Sequence, residues 1–136
     1  MRSFVDTNVL VYAVDEADER RRGIARDLLA SGADGGLVLS TQVLSEFVVA
    51  VRRLAVPIEA ERAIDIVREL ASAVEVHVPS VADVLAASER SVRDQLHQFD
   101  ALIVESALSA GCEVLLTEDL QDGRRYDGLV VRDPFR

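Results

Sequence analysis

The sequence predicts an α/β sandwich, in which a short parallel central sheet is covered by helices on both faces. Short apolar runs rich in Val, Leu and Ile alternate along the chain with longer segments of helical periodicity. Runs of that composition are typical of parallel strands, because such strands are buried on both faces of the sheet. Alternating strands and helices build this fold since each parallel connection needs a crossover segment.

The predicted elements follow one another without a repeat, a linker or a low-complexity segment, so residues 1–136 are expected to form one domain. Apolar runs predict strands at residues 4–5, 37–39, 74–78, 114–116 and 129–131. Apolar periodicity and the positions of Ser, Gly and Pro predict six helices, at about residues 9–14, 15–31, 41–54, 58–73, 81–93 and 99–110.

Composition excludes several classes of protein. No apolar run approaches the roughly 18 residues that a membrane-spanning helix needs, and Asp6 interrupts the first apolar run, which argues against a signal peptide. Cys112 is the single cysteine, so no internal disulfide is possible and a cytoplasmic location is expected. Its position between Gly111 and the apolar run at 114–116 indicates a buried, unreactive thiol.

The charge pattern is acidic, and all of the basic side chains other than histidine are arginines. The formal net charge of −9 is unusual for a nucleic-acid-binding protein, unless a bound cation reverses the sign at the site. The absence of lysine excludes a P-loop lysine and lysine Schiff-base chemistry. It also argues against phosphoaspartate chemistry, which usually uses a lysine.

Asp6 ends the first predicted strand, and two interpretations of it are open. Functional groups of open α/β sheets gather beyond the carboxyl ends of the strands, which favours an acidic site. An Asp or Thr before a helix also serves as an N-cap that accepts hydrogen bonds from free backbone N–H groups.

Two further acids lie on predicted helices close to the apolar face. Glu46 is in line with Val43 and Ala50 at the margin of that face, where a pair with Arg53 would be a purely structural alternative. Asp100 lies in the first helical turn above the apolar row that includes Ile103, and the helix dipole favours an acid there. The dipole alone does not explain a charge over a buried row.

Asp119 follows the predicted strand at 114–116, so it emerges at a carboxyl end as Asp6 does. Asp122 lies three residues later, but Asp122-Gly123 is a common turn sequence and favours a structural role. Four acids from separate segments would therefore meet at one edge of the sheet. Crowded carboxylates need a cation, and oxygen ligands without His or Cys select Mg²⁺ or Mn²⁺. Such a site suits metal-assisted phosphodiester hydrolysis, and the number of ions is left open.

These motifs, in this order, resemble the PIN-domain ribonucleases. The resemblance rests on the segments Val5-Asp6-Thr7-Asn8, Ser45-Glu46, Phe99-Asp100-Ala101-Leu102-Ile103 and Leu116-Thr117-Glu118-Asp119-Leu120, and it covers essentially the whole chain. The tail, with Gln121-Asp122-Gly123 and Pro134-Phe135, looks most like VapC toxins of type II toxin–antitoxin pairs. Many relatives carry a small residue and a bulky aromatic before the acid that corresponds to Asp100. This chain departs from that pattern at Gln98, which precedes Phe99 and Asp100.

The resemblance implies a PIN-like α/β/α sandwich and RNA cleavage. It implies a Mg²⁺ site formed by Asp6, Glu46, Asp100 and Asp119. Thr117 would orient Asp119, the last of these acids, and Asn8 would make a polar contact near Asp6, the first. It also implies a homodimer and a cognate VapB-like antitoxin that occupies the acidic cleft.

Other charged groups carry weaker signals. Arg124 and Arg125 follow the Asp119 loop and could hold phosphates beside the cleaved one. The run Arg20-Arg21-Arg22 is typical of a solvated surface. His77 and His97 have no Cys or His partner at ligand spacing, so we interpret both as structural.

Two other functions stay open at this point. An aspartyl-phosphate phosphatase would use Asp6, but such enzymes usually carry a second acid two residues on, where this chain has Asn8. A catalytically inactive, metal-binding adaptor has no need to concentrate repulsive charge, so the four acids favour catalysis.

Overall fold

The computed structural model describes residues 1–32 and 35–136, and its central element is a six-stranded sheet of order β3-β2-β1-β4-β6-β5. The strands are β1 (Ser3–Val5), β2 (Leu37–Ser40), β3 (Glu75–His77), β4 (Val114–Leu116), β5 (Arg125–Tyr126) and β6 (Leu129–Arg132). The helices are α1 (Thr7–Tyr12), α2 (Glu19–Ser31), α3 (Thr41–Ala50), α4 (Ala60–Ala73), α5 (Val81–Asp94) and α6 (Gln98–Ser109), with a 3₁₀ turn at Val51–Arg53.

The expected parallel sheet is confirmed for all strands but β5, which pairs antiparallel with β6. Sequence reasoning missed β5 because its two residues form no apolar run. The signal for it was the Asp127-Gly128 turn, a common hairpin sequence, in which Asp127 adopts a left-handed φ of 54°. Tyr126 is the buried residue of β5, while Arg125 faces solvent.

Helix limits follow the capping residues that the sequence offers. Ser40 caps α3 through Val43, and Ser80 forms a capping box with Asp83 at the start of α5. The helix α1 begins at Thr7, earlier than expected, because Asp6 is its N-cap. The helix α2 begins at Glu19, later than expected, because its N-cap is Asp18.

The register of the central strands positions the site. Val5 lies opposite Leu116, and the backbone N–H of Asp6 donates to the carbonyl of Leu116 at 3.0 Å. The residues that follow β1 and β4, Asp6 and Thr117, are therefore neighbours at the carboxyl edge. Because β2 lies on one side of β1 and β4 on the other, this edge is a topological switch point, where ligands of open α/β sheets bind.

The hydrophobic core lies on both faces of the sheet and is mainly aliphatic, because only 4% of the residues are aromatic. Its largest fully buried side chains include Phe4, Leu39, Phe47 and Leu115. Cys112 is buried, and burial raises the pKa of its thiol to about 11, which agrees with an unreactive thiol. Within the described residues, no helix has both the length and the apolar character needed to cross a membrane.

Candidate active site

Asp6 is a buried carboxylate at the centre of the carboxyl edge, with 5% of its surface exposed. One oxygen, Oδ1, accepts from the backbone N–H of Thr7 at 2.7 Å, which makes Asp6 the N-cap of α1. The other, Oδ2, accepts from the hydroxyl of Thr117 at 2.8 Å. The cap interpretation and the acidic-site interpretation are therefore compatible, because different oxygens serve them.

Burial raises the pKa of the Asp6 carboxyl to about 7, although its hydrogen bonds from Thr117 and Thr7 lower it. The charges of Asp119 and Glu46 raise the pKa further. Near neutral pH the carboxylate is thus held at an energetic cost that a nearby cation would remove. Such perturbed groups cluster at functional sites.

Thr117 is fully buried and connects three parts of the site through its hydroxyl. The hydroxyl donates to Asp6, and it accepts from the side-chain amide of Asn8 and from the backbone N–H of Asp119, both at 3.0 Å. The amide of Asn8 also donates to Oδ2 of Asp119 at 3.1 Å. Thr117 therefore holds the carboxylate of the first acid, while Asn8 holds that of the last. The resemblance implied the reverse arrangement, in which Thr117 would orient Asp119 and Asn8 would make a polar contact near Asp6.

Glu46 reaches this group of residues from α3. Its Oε2 accepts from the hydroxyl of Thr7 at 2.8 Å, and its Oε1 accepts from the amide of Gln42 at 2.9 Å. Within the described chain it forms no ion pair with Arg53, the structural alternative that the sequence left open. The same amide of Gln42 donates to the carbonyl of Phe99 at 3.2 Å, so it connects α3 to the start of α6.

Asp100 lies half-buried in the first turn of α6. Burial raises the pKa of its carboxyl most, and the charge of Asp119 raises it further. The charge of His97 lowers this pKa, and the charge of Glu46 raises it by a smaller amount. Asp6 and Asp100 thus both experience repulsion from the same two carboxylates. The structure brings the four acids into one neighbourhood, which we call the acid cluster: Asp6, Glu46, Asp100 and Asp119.

The chemistry of the acid cluster suits a hard divalent cation. In the described parts of the chain, none of its carboxylates lies within 4 Å of an Arg or His nitrogen. Residues 1–32 and 35–136 also contain no set of three Asp, Glu, His or Cys side chains arranged as ready metal ligands. The oxygens of Asp6 and Glu46 each accept one hydrogen bond. Because each carboxylate oxygen has two lone pairs, these hydrogen bonds leave positions at which a cation could bind.

A depression of about 450 Å³ opens beside the acid cluster. Glu46 and Asp119 line it together with Glu118, and apolar side chains such as Val11 and Leu54 line the rest. The depression therefore combines negative charge with an apolar wall.

Other predicted site residues lie elsewhere. Arg124 and Arg125 line a separate depression with Arg93 and Tyr126, and Arg124 stacks over the ring of Tyr126 at 5.0 Å. Because Arg125 pairs with Val130, it is level with the amino end of the parallel strands, away from the acid cluster.

The remaining candidates have structural contacts. Asp122 accepts from the backbone N–H of Asp133 at 2.8 Å, in agreement with a turn role. His77 pairs with Asp83 at 2.9 Å, and His97 caps α6.

Sequence reasoning missed three residues that contact the site. Thr7 and Gln42 hold Glu46, as described above. Tyr12 donates from its hydroxyl to Glu118 at 2.6 Å, and burial raises the pKa of Tyr12 to about 12. The only sequence signal for Thr7 was its position next to Asp6. The only signal for Gln42 was its position one helical turn before Glu46.

Replacing Thr117 tests the hydrogen-bond network. Thr117→Val keeps the shape of the side chain but leaves the backbone N–H of Asp119 without its acceptor, and it leaves the amide of Asn8 with one acceptor instead of two. We expect a loss of about 1–3 kcal/mol in the free energy of unfolding, which thermal unfolding measures. Thr117→Ser is the matched control, and equal losses in the two variants would contradict a role for the hydroxyl.

Comparison with known proteins identifies the family of the chain. Residues 3–128 match the model of the PIN domain, so the chain belongs to the PIN domain family. No curated protein matches the chain significantly.

Solved structures of VapC toxins share the fold. VapC20 of Mycobacterium tuberculosis, described as a toxin that cleaves the sarcin–ricin loop, is 24% identical, with a TM-score of 0.67 over 83% of this chain and 86% of that one. The DNA-bound VapBC complex of Salmonella typhimurium is 19% identical, with a TM-score of 0.70 over 98% of both chains. VapBC-1 of nontypeable Haemophilus influenzae is 21% identical, with a TM-score of 0.68 over the full length of both.

Proposed function

We propose that this protein is a Mg²⁺- or Mn²⁺-dependent endoribonuclease of the VapC toxin type. The observation that carries the proposal is the acid cluster: four carboxylates from four chain segments repel one another at the switch point, and in the described chain none of them forms an ion pair with an Arg or His within 4 Å. A metal-dependent nuclease needs such a concentration of charge, because the carboxylates hold the cation that assists hydrolysis of the phosphodiester. The family and the similar toxin structures support the same reaction class.

In this proposal the acid cluster holds the ion, and the surrounding polar residues set its geometry. When bound, the ion lowers the pKa of a water molecule and neutralises charge on the phosphate that is cleaved. Thr117 and Asn8 fix Asp6 and Asp119 relative to each other, while Thr7 and Gln42 aim Glu46. Such outer hydrogen bonds orient ligands and set metal affinity.

Incubation of the purified protein with RNA tests the proposal. We expect cleavage of RNA with Mg²⁺ or Mn²⁺, none with a chelator, and none of a DNA strand of the same sequence. Asp100→Asn removes one charge of the cluster and is expected to lose activity. Cleavage at an unchanged rate in that variant, or in the presence of chelator, would contradict the mechanism. Metal-dependent stabilisation without cleavage of any RNA would favour the adaptor function.

A cognate antitoxin is the proposed protein partner. Similar structures are complexes of toxin and antitoxin. The depression beside the acid cluster offers carboxylates and an apolar wall to a partner segment that carries basic and apolar side chains. RNA bound at the acid cluster and such a segment would compete.

We also propose a homodimer, with the outer face of α5 as its interface. Val81, Val84, Leu85 and Val92 follow helical spacing and are between 43% and 83% exposed, which is unusual for one helix face. We expect Leu85→Glu to shift the mass measured by light scattering towards the monomer. Val56→Glu, at another exposed valine, is the control. A monomeric wild type, or an unchanged dimer in Leu85→Glu, would contradict this interface.

A further inference from the structure

Phe99 is an exposed aromatic ring in a chain that has few aromatic residues. Its exposed fraction is 56%, whereas the other three phenylalanines, Phe4, Phe47 and Phe135, are all at most 4% exposed. The hydrophobic core therefore does not explain this ring. Phe99 immediately precedes Asp100, a member of the acid cluster, in the first turn of α6.

The ring of Phe99 is paired with the exposed imidazole of His97. Their centroids are 5.8 Å apart at an interplanar angle of 30°, a stacked arrangement. The backbone N–H of Phe99 also donates to Nδ1 of His97 at 3.3 Å, which caps α6. The cap therefore restrains the imidazole of His97 relative to the first turn of α6, and the ring of Phe99 stacks on that imidazole.

The backbone of Phe99 is connected to the acid cluster by a second contact. Its carbonyl accepts from the amide of Gln42, and the same amide donates to Glu46. The backbone that bears the Phe99 ring is therefore joined through Gln42 to Glu46, and along the chain to Asp100.

We propose that His97 and Phe99 form a stacking platform for an unpaired base of the RNA substrate, next to the phosphate that is cleaved. This inference rests on the proposed function. Aromatic side chains bind single-stranded RNA by stacking on base faces, with little dependence on base identity. The base face is the uncharged part of a nucleotide, so it tolerates an acidic neighbourhood that repels phosphates. The platform therefore selects unpaired RNA.

Two substitutions at Phe99 separate stacking from a simple apolar contact. Phe99→Leu keeps an apolar side chain, which suffices for contact with a protein partner, but removes the aromatic face. Phe99→Tyr keeps the face. For a single-stranded RNA substrate we expect KM to rise about tenfold in the Leu variant, within the range that stacking contributes per base. We expect kcat to change little, and KM of the Tyr variant to stay within about twofold of the wild type.

A fluorescent base gives a readout that is independent of turnover. 2-Aminopurine is placed in turn at each position around the cleavage site, with Phe99→Leu and wild type compared at saturating RNA. At one position we expect the wild type to change the fluorescence and the Leu variant not to do so.

Equal KM values for the wild type and Phe99→Leu, while the wild type cleaves RNA, would overturn the platform and leave the proposed function standing. Equal losses in the Leu and Tyr variants would overturn it as well, as would loss of dimer or antitoxin binding in Phe99→Leu with unchanged KM. A wild type that cleaves no RNA would instead overturn the proposed function itself.

Discussion

An Asp6→Asn variant is expected to lose metal-dependent RNA cleavage and yet to be more stable than the wild type in metal-free buffer. Cleavage should fall by at least about a hundredfold, since the loss of an outer hydrogen-bond partner alone costs up to that much. The gain in stability has a separate cause, which is the burial of a charge at 5% exposure among other carboxylates.

The raised pKa of Asp6 determines whether the protein gains or loses stability as the pH rises. Because the folded-state pKa of Asp6 is about 7, above its ordinary value of 3.8, its contribution to stability is fully present below about pH 4 and is lost as the pH rises through 7. The difference between these two pKa values corresponds to about 4 kcal/mol in the free energy of unfolding. The amide of the Asp6→Asn variant cannot ionise, but it disturbs the hydrogen bond from Thr117, so we expect a net gain of about 1–3 kcal/mol at pH 8.

Thermal unfolding of both proteins in chelator between pH 5 and pH 8 measures this prediction. The wild type should lose stability across the range, and Asp6→Asn should lose much less. Asp65→Asn, at an exposed carboxylate, is the matched control and should follow the wild type. A wild type whose stability is flat or rises with pH would show that Asp6 is not strained by its surroundings.

Arg90→Met is expected to cause a large loss of stability without a comparable effect on the site. The guanidinium of Arg90 is 6% exposed and contacts three carboxylates, Glu105 at 2.6 Å, Asp127 at 2.7 Å and Asp94 at 3.1 Å. It joins α5, α6 and the turn between β5 and β6. Removing one partner of a buried ion pair costs about 3–5 kcal/mol, because the remaining charge is left uncompensated.

Chemical unfolding of Arg90→Met and of Arg68→Met tests this prediction. Arg68 pairs with Asp65 on the surface, and both side chains are exposed, so we expect its replacement to cost less than about 1 kcal/mol. The concentration of Mg²⁺ that gives half-maximal activity should be unchanged in both variants at a temperature where they are folded. A cost for Arg90→Met as small as that for Arg68→Met would refute the structural role of this cluster.

The sequence was sufficient to predict most of the elements, because strand composition, helix periodicity and caps are local signals. It also indicated Asp6 and Asp119, since both closely follow buried strands that the fold aligns at one edge. The strand β5 was missed because its pairing depends on β6 rather than on its own two residues.

Contacts between distant residues could not be predicted in the same way. Asn8 and Thr117 are 109 residues apart, and which acid each one holds depends on side-chain geometry at the sheet edge. The links from Gln42 to Glu46 and to Phe99 depend on how α3 packs beside α6. The separation of Arg125 from the acid cluster follows from the direction of β5, which the sequence did not reveal.

Diffraction from crystals grown with Mn²⁺ would locate the cation directly. We expect one or two anomalous peaks at about 2.0–2.3 Å from carboxylate oxygens of the acid cluster, with Asp6 among the ligands. The same crystals of Asp6→Asn should show a weaker peak or none. Crystals of the wild type without a peak at Asp6, or with Mn²⁺ bound only at another surface, would contradict the assignment of this edge as a metal-dependent nuclease site.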